Sequence, residues 1–123
     1  MSAASDYLKS ALINHILRQT AFSSPTALYV SLFVGAAEVS GGSYARVDVT
    51  TGFTAPVGGV SENASTISFP SPTAAWGTVT HAALYDAASD GNQLMYAPLN
   101  ESKTITAGDT VRFNAASMDV SVS

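Results

Sequence analysis

The run ALYVSLFV, residues 27–34, decides the fold class. Leu28, Val30, Leu32 and Val34 alternate with Tyr29, Ser31 and Phe33, and a period of two belongs to a β-strand. Both sets are largely apolar, as expected of a strand inside a sheet or of one whose far side a helix covers. Upstream the period is different. Leu8, Leu12 and Ile16 recur every four residues and Ile13 and Leu17 widen the stripe, so residues 5–19 are expected to be helical. Ser2 or Ser5 can cap its start, and Asp6 lies near the positive end of the helix dipole. Thr20, Ser23, Ser24 and Pro25 end it. A helix this short is marginal alone, so Leu8, Leu12 and Ile16 are expected to pack on the strand 27–34.

Downstream, SYARVDVTT (43–51) alternates again, with Ala45, Val47 and Val49 opposite Tyr44, Arg46 and Asp48. Residues 53–64 read as a loop, with Pro56, Gly58, Gly59 and Asn63. Further strands are expected at 65–69, 78–87, 92–99, 103–106, 110–115 and 117–123, separated by Pro70 and Pro72, by Asp90-Gly91-Asn92 and by Ala107-Gly108-Asp109. Seven or eight short strands after one helix, with no βαβ pattern, predict a mainly β fold. It would be an antiparallel β-sandwich (jelly-roll-like) or a small barrel. Length and the absence of a linker predict a single domain, 1–123, made of the helix and a β domain at 27–123.

Composition narrows the function. Asp, Glu, Lys and Arg make up 11% of the chain, against about 25% in an average soluble domain. A free monomer normally surrounds itself with mixed charge, so much of this surface is expected to face other subunits. Five basic residues and a net charge of −4 argue against a nucleic-acid groove, which needs clustered cations. The absence of cysteine excludes disulfides, thiolate metal sites and thiol catalysis. No run of about 20 apolar residues is present to cross a bilayer. The opening residues lack a signal-peptide pattern, so synthesis and folding in a cytoplasm are expected.

Catalytic chemistry is not legible. His15, beside Leu8 and Leu12, reads as a half-buried residue at the core edge, and His81 as a strand residue sharing a face with Val79, Ala83 and Tyr85. No zinc-binding histidine pair, nucleophile elbow or phosphate loop is present. Asp86, Asp90 and Asn92 lie close together but without the ligand spacing of a calcium loop, so a hairpin turn is expected and no metal or cofactor. Asn63-Ala64-Ser65 and Asn100-Glu101-Ser102 fit a glycosylation sequon that has no use without a secretory route. The remaining candidates are interface aromatics. Tyr44 and Trp76 are expected as subunit contacts, with Arg46 beside them able to pair with a partner's carboxylate; Trp76 has an equal claim to the core.

The opening SDYLKSALINHILRQTAFSSPTALYVSLF (5–33) resembles the start of a family of small virion proteins of tailed bacteriophages, in which a helix is followed by a P-x-x-L-Y-V-x-L segment. EVSGGSYARV (38–47), ISFPSPTAAWGTVTHAALYDA (67–87) and KTITAGDTVRFNA (103–115) are similar to later landmarks of that family, in the same order. The connection after Val34 is shorter than in many relatives. Members are usually labelled tail fibre or minor tail protein. The resemblance implies a component of the phage particle labelled with the tail, and with the charge-poor composition it leads to the expectation of a non-enzymatic part of the tail, baseplate or fibre that forms homo-oligomers and touches other virion proteins; no nucleic acid or membrane is expected as a partner. Two alternatives remain: a capsid decoration (cement) protein that clamps major capsid subunits, and a carbohydrate-binding module using Trp76 and surface tyrosines. The family supplies no catalytic residues.

Overall fold

The computed structural model describes residues 4–122. The helix, α1 (Asp6–Leu17), starts where the sequence places it. Ser5 is extended, and its hydroxyl accepts the N–H of Leu8 at 3.2 Å, satisfying one of the open donors of the first turn. Ser2, the other candidate cap, lies outside the described residues. Arg18 closes the helix and Gln19 turns into the left-handed region (φ 56°), so it ends two residues earlier than expected.

Around the strand that opened the sequence reading a five-stranded antiparallel sheet assembles. That strand, β1 (Tyr29–Val34), is central. On one side it pairs with β2 (Ala37–Glu38) and, further along, with β3 (Val47–Asp48). On the other it pairs with β6 (Gly77–Tyr85), which carries β7 (Gln93–Ile105) on its outer edge. Two ribbons form the second layer: β4 (Val60–Glu62) with β9 (Asp119–Ser121), and β5 (Ile67–Ser68) with β8 (Arg112–Phe113). The inner row Val30, Leu32, Val79 and Leu84 meets Ile67, Phe69 and Met118 of the other layer in one apolar core. This is the sandwich of the two architectures expected. No barrel closes among the described residues.

Four expectations need correction. First, the helix does not lie on β1. Ala4 bridges Met95 and the Ser5 N–H donates to the Leu94 carbonyl at 2.8 Å, which seats the helix start on β7. No helical residue is buried, and Ile13, Ile16 and Leu17 are 55%, 70% and 75% exposed. The physical reason is that β1 needs no cover: the core takes one face and aromatic neighbours take the other.

Second, residues 53–64 are not all loop. Val57 and Val60 exchange both backbone hydrogen bonds around Gly58 (φ 61°) and Gly59 (φ 81°), a two-residue hairpin turn with both central residues left-handed. That turn launches β4. Third, 92–99 and 103–106 are one strand, β7, whose pairing with β6 slips between Val79 and His81. Pro98 is tolerated because β7 is an edge strand. Fourth, that slip reverses the alternation of β6. Val79 points into the core, and so do Ala82 and Leu84, leaving His81 on the outer face with Ala83 and Tyr85 but without Val79.

One polar residue locks the second layer. Asn63 is buried; its Nδ2 donates to the carbonyls of Ser65 (2.9 Å) and Asn114 (2.8 Å), and its Oδ1 accepts the Met118 N–H at 2.9 Å. The sequon it begins is therefore a structural amide.

Candidate interaction surfaces

The sheet face turned away from the core is aromatic. On β1 it carries Ser31 and Phe33, both buried. The Ser31 hydroxyl donates to the Ala83 carbonyl at 3.2 Å. Phe33 lies parallel to Tyr85 (centroids 6.4 Å apart) and edge-on to Tyr96 (5.4 Å), and Tyr96 stacks on His81 at 4.7 Å. The Tyr96 hydroxyl donates to the Gly35 carbonyl at 2.7 Å. Outward faces of sandwiches are normally polar. Here half-buried tyrosines tile the face instead.

Arg46 sits on this face as a clamp. Its Nε and Nη2 hold the two oxygens of Glu38 at 2.9 and 2.8 Å, and its Nη1 donates to the carbonyls of Ala87 and Asp90, each at 2.9 Å. The guanidinium lies 3.8 Å above the Tyr85 ring, and the side chain is 6% exposed. The fork expected to receive a partner's carboxylate is thus filled by Glu38 of its own chain. Burial pushes the Glu38 carboxyl up, but hydrogen bonds from Arg46 and Tyr44 and the Arg46 charge together bring it below its ordinary value. Burial, followed by the Glu38 hydrogen bond, pushes the Tyr44 phenol up.

Tyr44 and Trp76 lie beneath the clamp. The Tyr44 hydroxyl donates to Glu38 at 2.7 Å and accepts the Leu32 N–H at 3.0 Å, while its ring meets Trp76 edge-on at 5.4 Å. Trp76 is 5% exposed and its Nε1 donates to the Gly42 carbonyl at 3.0 Å. Only glycine fits position 42, since a Cβ there would come within 2.8 Å of the Ala74 carbonyl oxygen. Trp76 therefore takes the core position of the two the sequence allowed, and Tyr44 packs on it. The three residues named from sequence do come together, as one network tying 38–46 to the β6–β7 turn. Sequence reasoning missed Glu38, which lies eight residues before Arg46 and across a turn.

The remaining candidates are placed as follows. His15 is exposed, contrary to expectation, and its Nδ1 accepts the Phe22 N–H at 3.2 Å. Residues 86–92 form the β6–β7 hairpin turn. In it Asp86 accepts the Asn92 N–H at 2.7 Å and the Asn92 side-chain amide at 3.0 Å, which hold its carboxyl below the usual range. Between β7 and β8 the two layers part in an open cleft of about 730 Å³.

The described residues thus define a small antiparallel β-sandwich with an N-terminal helix, whose Arg46–Glu38 pair is internal and whose helix and hairpin tip show aliphatic groups outward. The family comparison makes this particular. Residues 3–121 match the model of the family described as Podophage GP4 fiber I protein gp80, and the chain belongs to that family. Its role is that of a phage structural protein, a virion component of the fibre kind. None of the curated proteins searched matches the chain. No helix among the described residues is long and apolar enough to cross a membrane.

Proposed function

We propose that the protein is a non-enzymatic building block of the tail or fibre apparatus, acting through repeated contacts with its own copies and with neighbouring virion proteins. The observation that carries this reading is the outward display of large aliphatic groups on a charge-poor chain: Ile16 and Leu17 on α1, and Val57, 82% exposed, at the β4 hairpin tip. Ile13 shares one face of α1 with Ile16 and Leu17, and apolar side chains clustered in this way mark contact sites. The tyrosine face around Arg46 offers a second contact, with Tyr44 and Trp76 supporting it from beneath. The family's description as a fiber protein supports the tail over the capsid.

Capsid decoration is the second reading, since a compact sandwich without a fibrous repeat also suits a clamp between shell subunits. A sugar-binding role loses its main support, because Trp76 is inside the core and offers no ring for stacking. Quantitative mass spectrometry of purified virions separates the readings. A copy number that is a small multiple of three or six supports the tail, hundreds of copies support the shell, and absence from the particle overturns both.

A further inference from the structure

We propose that Asp90-Gly91, in the β6–β7 turn, is a self-modification site: its peptide link migrates to the aspartate side chain, and Arg46 takes up the carboxylate that results. This goes beyond the structural reading above and does not depend on it. The chain holds six aspartates and five asparagines, and among them Asp90 alone precedes a glycine. The main-chain nitrogen after an aspartate can attack its Cγ and close a five-membered ring. A side chain on that next residue hinders the attack, and glycine has none.

Three structural observations single out this turn. Asp90 is exposed and its carboxylate meets no hydrogen-bond partner among the described residues, whereas Thr50, Asn92 and Thr106 hold Asp48, Asp86 and Asp109. Position 91 is fixed as glycine, because a Cβ there would come within 2.6 Å of Asp86 Oδ1 and 2.7 Å of the Ala87 Cβ. The Asp90 carbonyl accepts Arg46 Nη1 at 2.9 Å, from a side chain only 6% exposed.

The chemistry balances with one water out and one water in. The Gly91 nitrogen bonds to Asp90 Cγ, its proton leaves with the carboxyl hydroxyl as water, and the ring closes. Water then adds at the old main-chain carbonyl carbon, the bond from that carbon to the Gly91 nitrogen breaks, and the carbon becomes a carboxylate while Cγ keeps the nitrogen. Arg46 donates to the oxygen on that same carbon, so it stabilises the negative charge that develops there and favours this opening over the one that restores the ordinary link. The product lengthens the turn by one main-chain carbon. It also moves a negative charge from solvent to the guanidinium, which then stands between this carboxylate and Glu38.

Asp90→Asn is the sharpest probe. Asparagine reaches the left-handed conformation of position 90 as aspartate does, and it forms the same ring with loss of ammonia, so every product molecule records one closure. Full-length chain is aged at neutral pH, folded or in guanidinium chloride, then digested and read by electron-transfer mass spectrometry, which separates the two linkages. Folded wild-type chain should acquire the β-linkage at Asp90 and not at Asp48, Asp86 or Asp109. It should do so roughly tenfold more slowly than the denatured chain, because the turn must first open. A folded chain that never acquires it overturns the proposal. In the Asp90→Asn chain the ratio of β-linked to ordinary product should be about threefold or more higher when folded than when denatured, the effect of one charge-assisted hydrogen bond. Equal ratios overturn the part given to Arg46. Arg46→Gln in the Asp90→Asn chain, shown by its melt to be folded, should return the ratio to the denatured value, and a ratio that stays high overturns that part as well.

Discussion

Asn63→Ala should be among the most damaging single changes outside the apolar core. The wild-type amide makes three hydrogen bonds of 2.8–2.9 Å and is 1% exposed. Truncation strands the Met118 N–H, which is buried, and that desolvated donor costs about 1–3 kcal/mol. The carbonyls of Ser65 and Asn114 belong to exposed residues and can recover water, so each loses only the net value of about 0.5–1.5 kcal/mol. The sum is roughly 2–6 kcal/mol, a large part of the ~5–15 kcal/mol that holds a domain together. Urea unfolding followed by tryptophan fluorescence measures it, since Trp76 reports on the same core. The midpoint should fall with the slope unchanged. Asn63→Asp, which loses both donors and sets an ionised carboxylate against the Ser65 and Asn114 carbonyls in a buried site, should be at least as damaging at neutral pH and less so as the pH falls. A loss under about 1 kcal/mol for Asn63→Ala would refute the claim that this amide closes the second layer.

Three further outcomes are expected. The Glu38 carboxyl lies below its ordinary value in the fold, so its stabilising effect is present above the unfolded value of 4.5 and lost as pH falls through the folded one. Glu38→Gln should therefore flatten part of the acid limb of the stability–pH curve, an unaltered limb contradicting the clamp; Asp48 and Asp86 are shifted in the same direction and are left in place by this change. Melts with EDTA and with calcium should coincide, because Asn92 already holds Asp86; a calcium-dependent rise of several degrees would make the turn a metal site. We also propose that residues 1–123 unfold as one domain, since Val30 and Met118 share one core; separate calorimetric transitions would divide it.

The fold was legible where local signals and burial agree. β1 read correctly because Val30 and Leu32 face the core while Ser31 and Phe33 are buried on the other side. The Gly58-Gly59 turn was also readable, as two glycines between valines allow the left-handed pair a tight hairpin needs. Treating glycine only as a loop signal hid it. The slip in β6–β7 was not readable, because a bulge changes which face a residue meets without changing its propensity. Helix packing failed for a related reason: an apolar stripe states that cover is needed and does not state whose. As for the site, EVSGGSYARV stood out as a segment, and in the structure Glu38, Gly42, Tyr44 and Arg46 all join one network. What sequence left open was the partner of each, since Arg46 reaches Ala87 and Asp90, more than 40 residues away.

The most direct test of the account is docking to particles that lack this protein. Purified tails and purified capsids from a deletion phage, each incubated with the wild-type chain and pelleted, should give saturable binding to the tails and none to the capsids. Saturable binding to the capsids alone would move the protein to the shell. A chain that remains monomeric and binds neither particle would contradict the claim that it works by contact with virion proteins.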